Sequence, residues 1–408
     1  MTMTAAANQK IPVGYKQIEI GVIPMDWDFR PLGDFFTFKN GLNKAKQFFG
    51  HGTPIVNYMD VYKNPGLFSM NILGRVNVSS QEIKSFGVKK GDVFFTRTSE
   101  TVEEIGITSV LLDELDNGVF SGFILRARSQ NDELNDLFKK YCFSSNVVRK
   151  QITEKSTYTT RALTNGRVLS MVKIPYPPKT EQLSIAIAIS DVDTLIEKLA
   201  KLIEKKKNIK QGAMQELLTG KRRLPGFCGE WKVKKLGEIA EIKTGKKNND
   251  DKTEEGLYPF FVRSQQIERI NSYSFDGEAI LIPGEGNIGN IYHYVNGRFD
   301  YHQRVYKISN FAEQYSGKFI YLFMSQNFNA HAMKNSVKAT VDSLRLPTFQ
   351  EFEISFPPTR IEQNAIAITL SDMDSEIEKL ESQLTKYRNL KQGMMQNLLT
   401  GKIRLLKK

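Results

Sequence analysis

The chain of 408 residues is poor in the features that would assign it a chemistry at once. It has two cysteines, Cys142 and Cys228, so no disulfide framework can be built and a reducing, cytoplasmic compartment is expected. Its four histidines, at 51, 293, 302 and 331, do not pair with cysteines or carboxylates at metal-ligand spacing, so no metal site is predicted. Apolar runs such as residues 185–189 are about five residues long, far short of the roughly 20 that a membrane span needs. The first ten residues are polar and Ala-rich, with no apolar core of a secretory signal. No G-x-x-x-x-G-K-[ST] phosphate loop occurs, and no [ND]-P-P-[FY] motif for methylating a base amino group. GEGNIG at 284–289 matches G-x-G-x-x-G, but the strand-like IYHYV follows where a dinucleotide site needs a helix; a glycine-rich hairpin fits better. Glu82-Ile83-Lys84 and Glu241-Ile242-Lys243 give the E-x-K tripeptide of nuclease cores without an accompanying upstream Asp. No active site is legible.

What is present is charge, aromatics and a repeat. The chain carries 57 Lys and Arg against 45 Asp and Glu, a net +12 that suits a polyanionic partner. With 26 Phe and 15 Tyr it has ample core, and wholesale disorder is excluded. Residues 181–224 and 362–405 align without a gap at an offset of 181, with 26 identities in 44 positions. Pro177–Pro178 and Pro357–Pro358 precede the two copies. Fainter matches run before them: Trp27, Leu32, Gly33, Asp34 and Gly41 answer to Trp231, Leu236, Gly237, Glu238 and Gly245 at an offset of 204. The chain is a tandem duplication of variable segment and repeat.

In the first copy, apolar residues fall at Ile185, Ile189, Val192, Ile196, Leu199 and Ile203. In the second they fall at Ile366, Leu370, Met373, Ile377, Leu380 and Leu384. The alternating steps of four and three define a heptad seam on a helix of some 38 residues, roughly 57 Å long. Proline pairs mark the starts, and Gly220 and Gly401 are predicted stops with positive φ. The nearest partner for each seam is the other copy, giving an antiparallel intramolecular coiled coil; the alternative is a zipper between two chains. Gly212 and Gly393, equivalent positions late in the helices, suggest a kink or a close approach of another helix.

The variable segments read as α+β (α/β). Short strands are predicted at 93–97, 118–128 and 172–177, then at 279–283, 291–295, 304–308 and 353–357, with helices at 132–151 and 312–334. The expected layout is a globular domain over 1–178, a helix over 179–224, a second globular domain over 225–358 and a second helix over 359–408, with pseudo-twofold internal repetition. Net charge divides as +5, +4, zero and +3 over these four pieces. Side chains that grip phosphates or read base edges lie in the turns and strand ends of both globular segments. The candidates in the first are Lys39, Lys44, Lys46, Tyr58, Arg97, Thr98, Ser99, Tyr158, Thr160 and Arg161. Those in the second are Lys246, Lys247, Arg263, Gln265, Gln266, Asn287, Lys338, Thr340 and Arg345. On the residues alone, a DNA-modifying enzyme with unrecognised motifs and a coiled-coil scaffold stay open as alternatives to a bivalent DNA reader.

YKQIEIGVIPMDW at 15–27 resembles the N-terminal signature of specificity subunits of type I restriction-modification systems. The Pro-Pro entry shortly before each Glu-Gln pair, and K-Q-G-x-M-Q-x-L-L-T-G-K at 210–221 and 391–402, are similar to that family's repeated regions. The resemblance covers nearly the whole chain. It implies two target recognition domains, each reading one half of a bipartite site on double-stranded DNA. It implies helices that set the spacing and dock two modification subunits, and a chain that is not itself an enzyme and holds no cofactor. S-adenosylmethionine would belong to the modification (methyltransferase) subunits. ATP and Mg would belong to restriction (translocase/nuclease) subunits.

Overall fold

The structure is a computed structural model and describes residues 11–19, 21–335 and 343–406. It divides into two compact units, one of residues 1–198 and 384–408, the other of residues 199–383. Two helices of 39 residues, Lys179–Leu217 and Arg360–Leu398, are shared between them. Each unit takes the first half of one helix and the second half of the other.

In the first unit a five-stranded sheet runs in the order Phe36–Asn40, Ile124–Ser129, Val93–Thr96, Thr108–Leu111 and Gly66–Leu67. All its pairs are antiparallel except the last. Phe95, Leu125 and Ala127 turn one face of it onto a core completed by the helices Asp136–Cys142 and Asn146–Lys155. In the second unit the sheet has six strands: Glu241–Thr244, Val305–Ser309, Phe275–Pro283, His293–Tyr301, Tyr258–Phe261 and Ile267–Ile270. The helix Gly317–Asn335 packs against it through Phe319, Ile320 and Phe323. Segment 284–289 joins two antiparallel strands, as a hairpin connection and not a nucleotide loop.

The two units close in the same way. After each opening tryptophan a strand pairs antiparallel with the strand before the proline pair: Asp28–Pro31 with Lys173–Tyr176, and Lys232–Lys235 with Glu353–Phe356. The matched glycines then have a steric reason. A Cβ on Gly41 would lie 2.1 Å from the Ser121 carbonyl oxygen, and one on Gly245 would lie 2.0 Å from that of Tyr301. Only glycine lets the chains approach so closely.

The Glu-Gln pairs are buried at the start of each long helix, where their side chains tie it to its unit. Gln182 accepts from the Asn135 backbone N–H at 2.8 Å and donates to the carbonyls of Glu133 and Pro177. Gln363 accepts from the Ser316 backbone N–H at 2.8 Å and donates to the carbonyls of Gln314 and Pro357. Glu181, only 3% exposed along its side chain, is held by Arg404 at 2.7 Å, by Trp27 Nε1 at 3.1 Å and by the Leu405 backbone N–H at 3.2 Å. Glu362, 1% exposed, is held bidentately by Arg223, with one of the two bonds at 2.6 Å. Each arginine follows the far end of the other long helix. Gly220 and Gly401 end those helices with φ of +71° and +72°. Their bare faces lie against Trp231 and against Pro24 and Trp27.

The long helices pair antiparallel. In the first unit Asp193 meets Lys391 at 2.6 Å, and in the second Lys206 meets Glu376 at 2.7 Å and Lys210 meets Asp374. Asp193–Lys391 and Asp374–Lys210 are the same contact in the two copies of the repeat. The seam positions divide by role. Ile185 and Ile189 belong to the core of the first unit, and Ile366 and Leu370 to that of the second. Leu199, Ile203, Ile377 and Leu384 are buried along the helices. Val192, Ile196, Met373 and Leu380 are half-buried there. Gly212 and Gly393 were expected to mark a kink or a close approach. Both lie inside unbroken helices, and a Cβ on either would meet nothing within 4 Å.

Removing an arginine from a buried carboxylate leaves an unpaired charge, which costs about 3 kcal/mol or more. Arg404→Ala is therefore expected to destabilise the first unit by about 3 kcal/mol and Arg223→Ala the second. Denaturant titration followed by hydrogen exchange localises each loss; equal losses in both units for either variant would contradict this.

Candidate nucleic-acid interface

In the first unit, strand pairing gathers residues distant in sequence. The hairpin of Thr157–Tyr158 and Ala162–Leu163 pairs through its second strand with Thr98–Ser99. Beside them starts the helix Tyr58–Lys63, whose N-cap Asn57 forms a capping box with Asp60. Tyr58 and Tyr62, one turn apart, stack with centroids 5.9 Å apart and planes at 16°. The result is an open pocket of about 340 Å³ whose wall includes Tyr58, Thr98, Ser99 and Arg161 from the sequence candidates. Tyr158 and Thr160 lie exposed on the hairpin, and Arg97 is half-buried at the start of the pocket strand. The Tyr62 hydroxyl donates to Glu104 Oε1 at 2.6 Å. Burial and the nearby carboxylates, chiefly Glu104, hold the Tyr58 phenol above its ordinary range. The sequence reading passed over Met59, Glu100, Glu104 and Phe123, which also line this pocket. Its candidates are side chains that grip phosphates or hydrogen-bond base edges, in turns and strand ends, whereas Phe123 is apolar and 66% exposed on a turn inside a run read as one continuous strand.

The three lysine candidates lie elsewhere. Lys39 Nζ donates to the Ser85 carbonyl at 2.6 Å and sits over the Phe86 ring. Lys44 Nζ bridges the Asn77 carbonyl at 3.0 Å and Glu82 at 2.9 Å. Both ammonium groups are already engaged by the protein; Lys46 is exposed in a 3-10 turn.

In the second unit, Arg263, Gln265 and Gln266 are exposed on the connection between two sheet strands. Glu285, in the glycine-rich connection, stands between two guanidiniums, Arg263 at 3.6 Å and Arg304 at 3.2 Å. Nothing local in the sequence marks Arg304 as a candidate, and Glu285 lies inside the glycine motif at 284–289. Asn287 accepts from Asn290 at 2.7 Å. Lys246 is exposed; the Lys247 backbone pairs with that of His302 in an isolated parallel β-bridge, and its Nζ lies 3.6 Å from Asp251. Arg345 is exposed at the N-cap of Leu346–Gln350. Lys338 and Thr340 lie outside the described residues. Among the described residues, no group of three or more His, Cys, Asp and Glu could hold a metal ion, and no helix is long and apolar enough to cross a membrane.

Two histidines support this face from below. Burial holds His302 below its ordinary value, helped by Arg263 and Arg304, and its Nδ1 accepts from the Arg304 backbone N–H at 2.9 Å. Burial likewise lowers His293, against a contact with the Ser264 carbonyl. A histidine held low when folded takes up protons on unfolding. Its contribution is complete above the unfolded value near 6.5 and is lost as pH falls towards the folded one. The second unit is therefore expected to melt at lower temperature at about pH 5.5 than at about pH 7.5, with a shallower slope in His302→Asn. An unchanged slope in that variant would show that His302 does not contribute.

A family profile described as Type I restriction modification DNA specificity domain matches residues 24–208 and 229–386. The specificity subunit of the type I restriction enzyme MjaVIII of Methanocaldococcus jannaschii is 25% identical over 419 residues, covering 94% of each chain. That of the type I restriction enzyme EcoDI of Escherichia coli is 28% identical over 171 residues, covering 42% of this chain and 37% of the relative. The crystal structure of the S subunit of a type I restriction-modification system from M. genitalium superposes with a TM-score of 0.61 at 18% identity. It covers 91% of this chain and 96% of that one. With two matches that span most of its length and fall on its two repeated halves, the chain belongs to the type I restriction-modification DNA specificity family, and its role is non-catalytic recognition of DNA.

Proposed function

We propose that each unit reads one half of a bipartite site on double-stranded DNA and that the paired helices set the distance between the halves. The observation that carries this reading is the duplicated frame with unlike faces. Matching Glu-Gln ties, Glu–Arg pairs and an arginine and a glycine against the tryptophan close both units. The candidate faces differ: an aromatic and carboxylate pocket in the first unit, a paired-arginine surface in the second. Identical frames suit a common geometry on DNA, and unlike faces suit two different half-sequences. Joining two readers raises affinity without new contacts. The chain works in the cytoplasm, beside the DNA it reads.

Partner subunits supply the chemistry. The repeat is retained at exposed positions, where core packing does not require it. Ile187 and Ile368 are 46% and 61% exposed, and Ile209 and Leu390 are 48% and 47% exposed. Ile187, Leu390 and the open flank of Gly393 fall in the first unit, and Ile368, Ile209 and the open flank of Gly212 in the second; these make one docking surface per unit, and hence places for two modification (methyltransferase) subunits carrying S-adenosylmethionine. Restriction subunits using ATP and Mg complete the assembly.

Co-expression with its methyltransferase subunit in a methylation-free host, followed by modification-sensitive sequencing, tests the reading. The expected result is one split, adenine-methylated motif that requires both chains. Methylation by this chain alone, or no motif from a complex that demonstrably forms, refutes it. On the docking side, Ile187→Asp is expected to reduce the complex from two methyltransferase subunits to one by native mass spectrometry, and Ile187→Asp with Ile368→Asp to none. Retention of both subunits by the double variant would place docking elsewhere.

A further inference from the structure

The pocket of the first unit contains a feature that a DNA-facing surface should avoid. Glu100 is exposed on its wall, one residue beyond the strand Thr98–Ser99. A carboxylate brought near a phosphate backbone is repelled, and desolvating it without a donor costs more. Its neighbour Glu104 is satisfied by the Tyr62 hydroxyl at 2.6 Å. Glu100 has no hydrogen bond or ion pair among the described residues. Arg161 lines the same pocket, and its guanidinium likewise forms no ion pair there. The protein has thus placed an acid and a base in one pocket without joining them, leaving both free for a third party.

On duplex DNA the only neutral donors of matching chemistry in the major groove are exocyclic amino groups, N6 of adenine and N4 of cytosine. A phosphate offers the guanidinium its partner. The apolar surfaces around the pocket, Met59 at 48% and Phe123 at 66% exposure, would cover the edge of a base once docked. Resting on the reading that this unit recognises half of the site, we propose that Glu100 is a specificity-determining residue. Its carboxylate accepts a hydrogen bond from the exocyclic amino group of one base in that half-site, while Arg161 holds a flanking phosphate.

The test uses the full complex with its methyltransferase subunit. Under Glu100→Ala, which removes the acceptor, one position in one half of the methylated motif is expected to lose its base selection, while the other half keeps every base. Loss of discrimination on the order of ten- to a hundredfold at that position is the scale for a single base contact. In parallel, wild-type complex is titrated with duplexes in which the adenine at that position is replaced by purine, or the cytosine by its analogue lacking N4. The duplex that weakens wild type but not E100A identifies which base supplies the amino group. Arg161→Ala should instead weaken all sequences alike and flatten the dependence on salt. A motif left intact by E100A, or uniform loss of methylation with no position relaxed, overturns the assignment. If the unsubstituted chain directs no split motif, the reading of the chain fails and this inference with it. If it does and E100A leaves that motif intact, this inference alone fails.

Discussion

Everything in this molecule depends on a buried carboxylate at the head of each long helix. Glu181 and Glu362 are almost without solvent and are compensated from far along the chain, by Arg404 and Arg223. An uncompensated charge at such a position is not tolerated, so the sequence beyond each helix must return to the start of the other. Together with the apolar seam and the Asp–Lys pairs along it, that requirement holds the long helices antiparallel, sets the C-terminal segment beside Asp26 and Trp27, and goes with units built from non-contiguous halves of two helices. The glutamine beside each glutamate extends the tie into the unit by satisfying the backbone at the N-cap of an internal helix, at Asn135 and Ser316.

The same constraint explains where the repeat is strict and where it is free. Positions that meet the tie are matched in both copies: the tryptophans, the Glu-Gln pairs, the arginines and the glycines that lie on the tryptophan rings. Even here the copies are not identical in chemistry. Trp27 Nε1 donates to Glu181, while the buried Trp231 Nε1 has no protein partner among the described residues. Away from the tie the units share a plan and little else, with five strands in the main sheet of one and six in that of the other. A fixed frame with independent faces is the arrangement that lets sequence specificity change without disturbing assembly.

Counting cations in a sequence does not tell which of them are already engaged within the protein. Lys39 and Lys44 look like phosphate grips in the sequence, yet both spend their charge on neighbouring carbonyls, on a carboxylate or over a ring. Arg304, unremarkable in sequence, shares Glu285 with Arg263 across a fold that brings residues 263, 285 and 304 together.

The sequence by itself determined the duplication, the two helices and their seams, the glycine stops and the hairpin nature of segment 284–289. These follow from short-range rules: heptad spacing, the exclusion of proline from helix interiors and the freedom of glycine at positive φ. Tertiary structure alone decided which seam residues serve a helix pair and which a globular core, because Ile185 and Ile366 carry the same periodicity as Leu199 and Ile377. It alone assembled the pocket, joining Tyr58, Ser99, Glu100, Phe123 and Arg161 by the pairing of Thr98–Ser99 with Ala162–Leu163. Pairing partners separated by more than sixty residues leave no periodic trace in a single sequence. Whether a given charge is free or already engaged depends on those same long-range neighbours.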